Sequence, residues 1–255
     1  LDLNLTGKIA SLCGDVSGVT VIEVGPGPGG LTRPLLALAP ERLIAVEMDA
    51  RFIPALEATA DYYPTPFEII EGDALKVDEA ALTGGGPAVI ASNLPYNVGT
   101  PLFIKWLKAE PVFWQRLVLM FQKEVAERVV APAGSKAYGR LAILTAAVAS
   151  ARIMLNAPAR AFTPPPKVDS AVVVIDPLPA AQRFTDLAAL EVVTESAFGQ
   201  RRKTLRKSLG IAAGKAGTSA ESLLEAAGID PGARAETIPP EGFFALAKAW
   251  RAARV

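Results

Sequence analysis

The sequence has 255 residues, 51% hydrophobic and 20% charged, with 26 Lys and Arg against 26 Asp and Glu; that is enough chain for a full α/β core and a smaller second domain. Histidine is absent and Cys13 is the one cysteine, which excludes Ser-His and Cys-His nucleophilic pairs and any internal disulfide, argues against a zinc site, and gives no sign of an oxidising compartment. No apolar run approaches the ~20 residues of a membrane span and no basic-then-apolar leader opens the sequence, so a cytoplasmic protein with no membrane segment and no metal is expected.

Leu1 to Cys13 reads as an amphipathic helix. Because the sequence does not begin with Met, a further N-terminal piece is expected to precede it. Val19 to Val24 is a β-branched run that ends in a glycine cluster, and a helical pattern follows from Leu31. Further apolar runs come at Leu43 to Glu47, Phe67 to Glu71, Ala88 to Asn93, Gln115 to Phe121, Arg152 to Leu155 and Ala171 to Ile175, and helical periodicity separates most of them. Strands alternating with helices predict βαβ units: an α/β, Rossmann-like domain with a mostly parallel, seven-stranded sheet. The loop from Asn156 to Val168 is too short for a crossover helix, so the last two strands are expected to pair antiparallel at one edge.

Asp176-Pro177-Leu178-Pro179 breaks the pattern and marks a linker. The expected domains are therefore 1–178 and 179–255, the second a small all-helical one. Its helices are expected at Asp186 to Phe198, Arg201 to Leu209, Ser219 to Ala227 and Pro240 to Ala253, with Ser219 as an N-cap and Gly228 as a stop. The neutral total hides an asymmetry: residues 1–180 hold 15 Lys and Arg against 18 Asp and Glu, whereas residues 181–255 hold 11 against 8. Arg201, Arg202, Lys203, Arg206 and Lys207 lie in one acid-free run. Such a segment on a neutral protein suits a local contact with RNA phosphates, reading backbone shape more than sequence.

Chemistry concentrates at the ends of the first four strands. Gly25-Pro26-Gly27-Pro28-Gly29-Gly30 opens the first helix, and glycines there let backbone approach a ligand. Gly25, Gly27 and Gly30 satisfy the spacing of a dinucleotide fingerprint, which keeps an NAD-dependent oxidoreductase open. Glu47 can accept from both hydroxyls of a ribose, a group that NAD and S-adenosylmethionine share. Asp73 can accept from an exocyclic adenine amine, so adenosine is expected across the strand ends, beside Met48 and Ala74. Asn93-Leu94-Pro95-Tyr96 ends the fourth strand. The Asn93 side-chain oxygen and Leu94 carbonyl can accept both hydrogens of an amine, favouring a pyramidal, nucleophilic nitrogen. Pro95 biases Leu94 away from helix and holds that carbonyl outward. Tyr96 offers a stacking face for an extruded base, worth ~1–3 kcal/mol. With a sulfonium methyl as electrophile no general base is needed, so the lack of histidine costs this reaction nothing.

Together the glycine turn, Glu47, Asp73 and Asn93-Leu94-Pro95-Tyr96 resemble the rRNA adenine N6-dimethyltransferase family. The segments Phe162-Thr163-Pro164-Pro165-Pro166-Lys167-Val168-Asp169-Ser170-Ala171-Val172 and Ala197-Phe198-Gly199-Gln200-Arg201-Arg202-Lys203-Thr204-Leu205-Arg206 are similar to later motifs of its bacterial small-subunit branch. The resemblance covers nearly the whole sequence. It implies a class I methyltransferase fold and S-adenosyl-L-methionine as cofactor, bound by Gly25, Pro26, Gly27, Gly29, Glu47, Met48, Asp73, Ala74 and Asn93. It implies Asn93, Leu94, Pro95, Tyr96 and Phe162 at the target adenine, with Phe162 flanking the base opposite Tyr96. It implies dimethylation of two adjacent adenosines in the 3′-terminal hairpin of 16S rRNA, within an immature small subunit; nothing in the sequence requires more than a monomer. An Asn-Phe-Leu motif that helps cover the methionine end of the cofactor would precede Leu1. A 23S rRNA adenine methyltransferase of the antibiotic-resistance type and a non-catalytic assembly or transcription factor share the fold and stay as alternatives.

Overall fold

The computed structural model describes residues 2–95 and 97–254. They divide into two compact units, residues 1–126 with 151–177, and residues 127–150 with 178–255. One division lies at Pro177/Leu178, and the first unit is discontinuous, whereas the sequence reading took 1–178 as one continuous domain. Residues 127–150 group with the helical unit. Their periodicity looks like that of any sheet-covering helix, so the sequence could not report which partner the helix buries against.

The first unit begins with α1 (Leu3–Ser11), which Asp2 caps by accepting from Leu5 N at 3.0 Å; an acceptor there satisfies one of the orphan amides of the first turn. Strands β1 (Thr20–Val24), β2 (Arg42–Glu47), β3 (Phe67–Glu71) and β4 (Ala88–Asn93) alternate with α2 (Thr32–Ala37), α3 (Ile53–Ala60) and α4 (Glu79–Leu82). Then come α5 (Gly99–Leu107), β5 (Trp114–Gln122) and α6 (Lys123–Val129). β6 (Ala149–Ala157) and β7 (Ser170–Pro177) follow α7 (Arg140–Val148), which belongs to the second unit.

The strands form one seven-stranded sheet in the order β3-β2-β1-β4-β5-β7-β6. From β3 to β5 every pairing is parallel, and β7 runs antiparallel to β5. β6 is the outermost strand on that side, next to β7. β1, β2 and β4 are buried almost end to end, with only Arg42 and Asn93 less than fully covered. A sheet covered on both faces has no polar alternation, which explains their continuous apolar runs. On one face Ile9, Ala10 and Cys13 of the α1 segment and Leu35 of α2 pack with Val21, Leu43, Val89, Val118 and Val172. Reversal of chain order between β1 and β4 opens a crevice at the strand C-termini, where open α/β sheets bind ligands.

The second unit adds α8 (Leu187–Gly199), α9 (Leu205–Ser208), α10 (Gly210–Lys215), α11 (Ala220–Ala226) and α12 (Pro240–Ala253). Ser219 caps α11 by accepting from Ser222 N at 3.0 Å, and Gly228 ends that segment with φ +67°, both as expected. The expected helix from Arg201 to Leu209 is shorter than its pattern. Arg201 to Lys203 form a turn, and the helix runs only over Leu205–Ser208. Conversely α10 was not expected; its two glycines weaken helix propensity, and burial of Ala212 and Ala213 overrides that weakness. Among the described residues no helix is long and apolar enough to cross a membrane, and no group of three or more His, Cys, Asp or Glu is placed to hold a metal.

Candidate cofactor cleft and acceptor turn

The loop after β1 turns sharply at Gly25 (φ +67°) and Gly27 (φ +54°), a region that side chains rarely tolerate. Gly25 N donates to the Val46 carbonyl at 2.9 Å, tying the turn to β2. Glu47, 6% exposed at the end of β2, completes the tie. Its Oε2 accepts from Gly27 N and its Oε1 from Asp49 N, each at 2.9 Å. The sequence marked Glu47 as a ribose acceptor; the structure adds that it shapes the glycine turn. Each carboxylate oxygen keeps lone-pair capacity beyond these amides, so both tasks are compatible.

Asp73 follows β3. Its Oδ1 accepts from Leu75 N at 3.0 Å, and its Oδ2 stands 3.8 Å from Lys76 Nζ. Between these strand ends lies a cleft lined by Gly25, Glu47, Met48, Asp73, Ala74 and Leu75, together with Pro95, Asn97, Val98 and Leu102. Met48 is 73% exposed and Leu75 40%, two apolar side chains at its rim. Leu75, Asn97, Val98 and Leu102 escaped the sequence reading, because a lining residue with no special chemistry has no signature of its own.

The acceptor turn is built onto the same crevice. Asn93 ends β4 opposite Met120 of β5 and is partly buried. Leu94 N donates to the Met120 carbonyl at 3.3 Å, and the Leu94 side chain is 2% exposed. The Pro95 carbonyl accepts from Gly99 N at 2.9 Å and starts α5. A Cβ at Gly25 would lie 3.5 Å from the Pro95 ring, an ordinary van der Waals distance, so turn and ring are neighbours. Tyr96 lies outside the described residues. Phe162 is half-buried against the core cluster that contains Leu31, Met120 and Val172, which anchors one part of its ring.

Two observations bear on the cofactor class. The third glycine of a dinucleotide fingerprint serves close helix packing, yet a Cβ at Gly30 would meet nothing within 4 Å. Two carboxylates and no basic side chain line the cleft among the described residues. Their negative charge disfavours an anionic group beside them, with the Lys76 ammonium 3.8 Å from Asp73 Oδ2 as a partial counterweight. Beneath the turn, Glu23 is buried, and its Oε2 accepts from Thr32 Oγ1 at 2.6 Å. Burial pushes its carboxyl up to about 8, with the Thr32 hydrogen bond opposing and the nearby Glu47 charge adding.

The basic run lies in the second unit. Arg201 donates to the carbonyls of Lys136 and Tyr138 at 3.2 and 3.1 Å, so this arginine also braces the fold. Arg202, Lys203, Arg206 and Lys207 are exposed. Glu221 stands 4.0 Å from Arg206 with both side chains more than half exposed, an acid that the linear run did not reveal.

Residues 3–251 match the family described as ribosomal RNA adenine dimethylase. The ribosomal RNA small subunit methyltransferase A of Maricaulis maris is 63% identical over 99% of this chain and 88% of its own length. The enzyme of the same name from Phenylobacterium zucineum is 56% identical over 100% and 86%. Among solved structures, a dimethyladenosine transferase from Plasmodium falciparum superposes with a TM-score of 0.82 at 26% identity, covering 99% of this chain and 97% of that one. The 23S rRNA methyltransferase ErmE superposes at 0.71 with 22% identity over 98% of each chain, a likeness of fold. These matches and the class I sheet order agree: the chain belongs to the ribosomal RNA adenine dimethylase family.

Proposed function

We propose that this protein uses S-adenosyl-L-methionine to dimethylate N6 of two adjacent adenosines in the 3′-terminal hairpin of 16S rRNA, within an immature small subunit. What carries the reading is the junction of the strand-end cleft with the Asn93 to Pro95 turn, where Pro95 neighbours Gly25 and lines the same cleft. The small-subunit target is favoured by relatives named for that substrate at 56–63% identity, against a likeness of fold alone to the 23S enzyme.

S-adenosyl-L-methionine supplies an electrophilic sulfonium methyl. Gly25, Pro26, Gly27 and Gly29 offer close backbone approach, Glu47 accepts from the ribose and Asp73 from the adenine amine, and Met48 and Ala74 border the ring. The Asn93 side-chain oxygen and the Leu94 carbonyl accept from the target amine and steer its lone pair out of conjugation. Tyr96 and Phe162 stack on either side of the extruded base. The amine proton leaves to water, since no histidine is available and none is required. Arg201, Arg202, Lys203, Arg206 and Lys207 add phosphate contacts. The protein acts as a monomer in the cytoplasm, where the ribosomal substrate is assembled.

Asn93→Ala is expected to lower methylation turnover by about a hundredfold, in the range measured when one preorganised polar group is removed from an active site, while RNA affinity stays within about twofold. Single-turnover methylation and filter binding separate the two; a variant that methylates at the wild-type rate removes Asn93 from the mechanism. Primer extension on 16S and 23S rRNA, with and without enzyme, decides the target. A product confined to 23S rRNA excludes the small-subunit reading, and no product on either supports the non-catalytic alternative.

A further inference from the structure

One ammonium on α5 grips the loop that carries Asp73. Lys105 Nζ donates to the Ala74 carbonyl at 2.7 Å, to the Val77 carbonyl, and to Glu79 Oε2 at 2.6 Å. An ammonium has three protons, so all of its donors are committed. Glu79 is 1% exposed, and its second oxygen Oε1 accepts from Trp106 Nε1 at 3.2 Å. The buried carboxylate is thus held by two neighbouring residues of one helix, the arrangement that a buried charge needs. Within the loop, the Asp73 carbonyl accepts from Lys76 N at 2.8 Å and Val77 N at 3.1 Å. Asp73 Oδ1 is taken up by Leu75 N, and Oδ2 lies beyond hydrogen-bond distance of Lys76 Nζ. Loop carbonyls on both sides of Leu75 and Lys76 are therefore tied to one rigid point, with one carboxylate oxygen left for a ligand.

The helix that supplies this point also borders the cleft through Val98 and Leu102, and it starts from the Pro95 carbonyl. A lysine needed only to neutralise Glu79 would not have to spend two of its three protons on the Asp73 loop. We propose that Lys105 is a positioning residue for cofactor recognition, pinning the Ala74 and Val77 carbonyls so that Asp73 can select a 6-amino purine. The proposal rests on the placement of the cofactor's adenosine over the end of β3.

Calorimetric binding of S-adenosylhomocysteine and of S-inosylhomocysteine, its 6-oxo counterpart, tests it on the full chain. The wild type is expected to prefer the amino ligand by about tenfold, the worth of one hydrogen bond to a carboxylate. In Lys105→Met/Glu79→Gln, which orphans no buried charge, that ratio falls towards one, whereas Glu79→Gln alone retains it. Lys105→Arg, whose planar fork cannot reproduce three diverging bonds, loses part of the ratio and covers the case in which the double variant fails to fold. A general loss of stability would weaken both ligands alike and leave the ratio standing. If the Lys105 variants keep the wild-type ratio while Asp73→Ala abolishes it, the proposal is overturned and the adenosine placement survives. If Asp73→Ala keeps the ratio too, the placement itself is wrong and the proposal goes with it.

Discussion

Glu23 shows how one residue can couple the glycine turn to solution pH. It lies wholly inside the protein with Thr32 Oγ1 against it, and burial raises its carboxyl from the ordinary 4.5 to about 8. The folded-state value is the higher one, so its stabilising contribution is complete below about pH 4.5. It is lost as pH rises through about 8. Glu23→Gln preserves the shape and the acceptor for Thr32 but cannot ionise. Its melting temperature minus that of the wild type is expected to climb between about pH 4.5 and about pH 8 and to level off above that. A flat difference across that window would show that Glu23 does not titrate there. Chemistry at this scale was partly open to sequence reasoning: Glu47, Asp73 and Asn93 stood out as polar residues at the ends of apolar runs. Glu23 did not, because an acid inside a strand gives no hint of how completely its neighbours will cover it.

At the scale of elements, the junction of β4 and α5 is under steric control. A Cβ at Gly99 would stand 3.2 Å from the Leu94 Cβ, so Gly99→Ala must displace Leu94, whose carbonyl is assigned to the target amine. Methylation should fall at least about tenfold while stability changes by about 1–2 kcal/mol, the usual cost of overpacking; unaltered turnover would detach Leu94 from catalysis. In the helical unit, Trp250 of α12 is 2% exposed and its Nε1 donates to the Ala212 carbonyl of α10 at 2.7 Å. Trp250→Ala should cost about 3–5 kcal/mol in urea unfolding. Trp250→Phe, which retains most of the apolar area, should cost about 1–2 kcal/mol for the orphaned carbonyl. Strand positions were legible because β1, β2 and β4 are covered on both faces and read as unbroken apolar runs. Helix limits were less so: nothing in Arg201 to Leu209 distinguishes a turn at Arg201 to Lys203 from the helix at Leu205–Ser208.

For the whole molecule, ligand linkage separates cofactor classes. At about a hundred times its Kd a ligand adds about 2.7 kcal/mol to the native state. S-adenosylhomocysteine should raise the melting temperature and NADH should not, and the opposite result would return the chain to the oxidoreductases. Neutralising Arg202, Lys203 and Lys207 to Gln should flatten the salt dependence of RNA binding by about 0.7–0.9 for each phosphate that is no longer neutralised. An unchanged slope would mean that these exposed cations are merely solvated. The sequence by itself determined the α/β class, the strand-end polar residues and the family, because these follow from local periodicity and from residue types at fixed spacing. Only the tertiary structure decided that 127–150 belongs with the helical unit, that Glu47 holds the glycine turn, and that Lys105 on α5 grips the Asp73 loop. Those interactions join residues far apart in the chain, and their partners are selected by which surfaces are buried together, a quantity that no local pattern encodes.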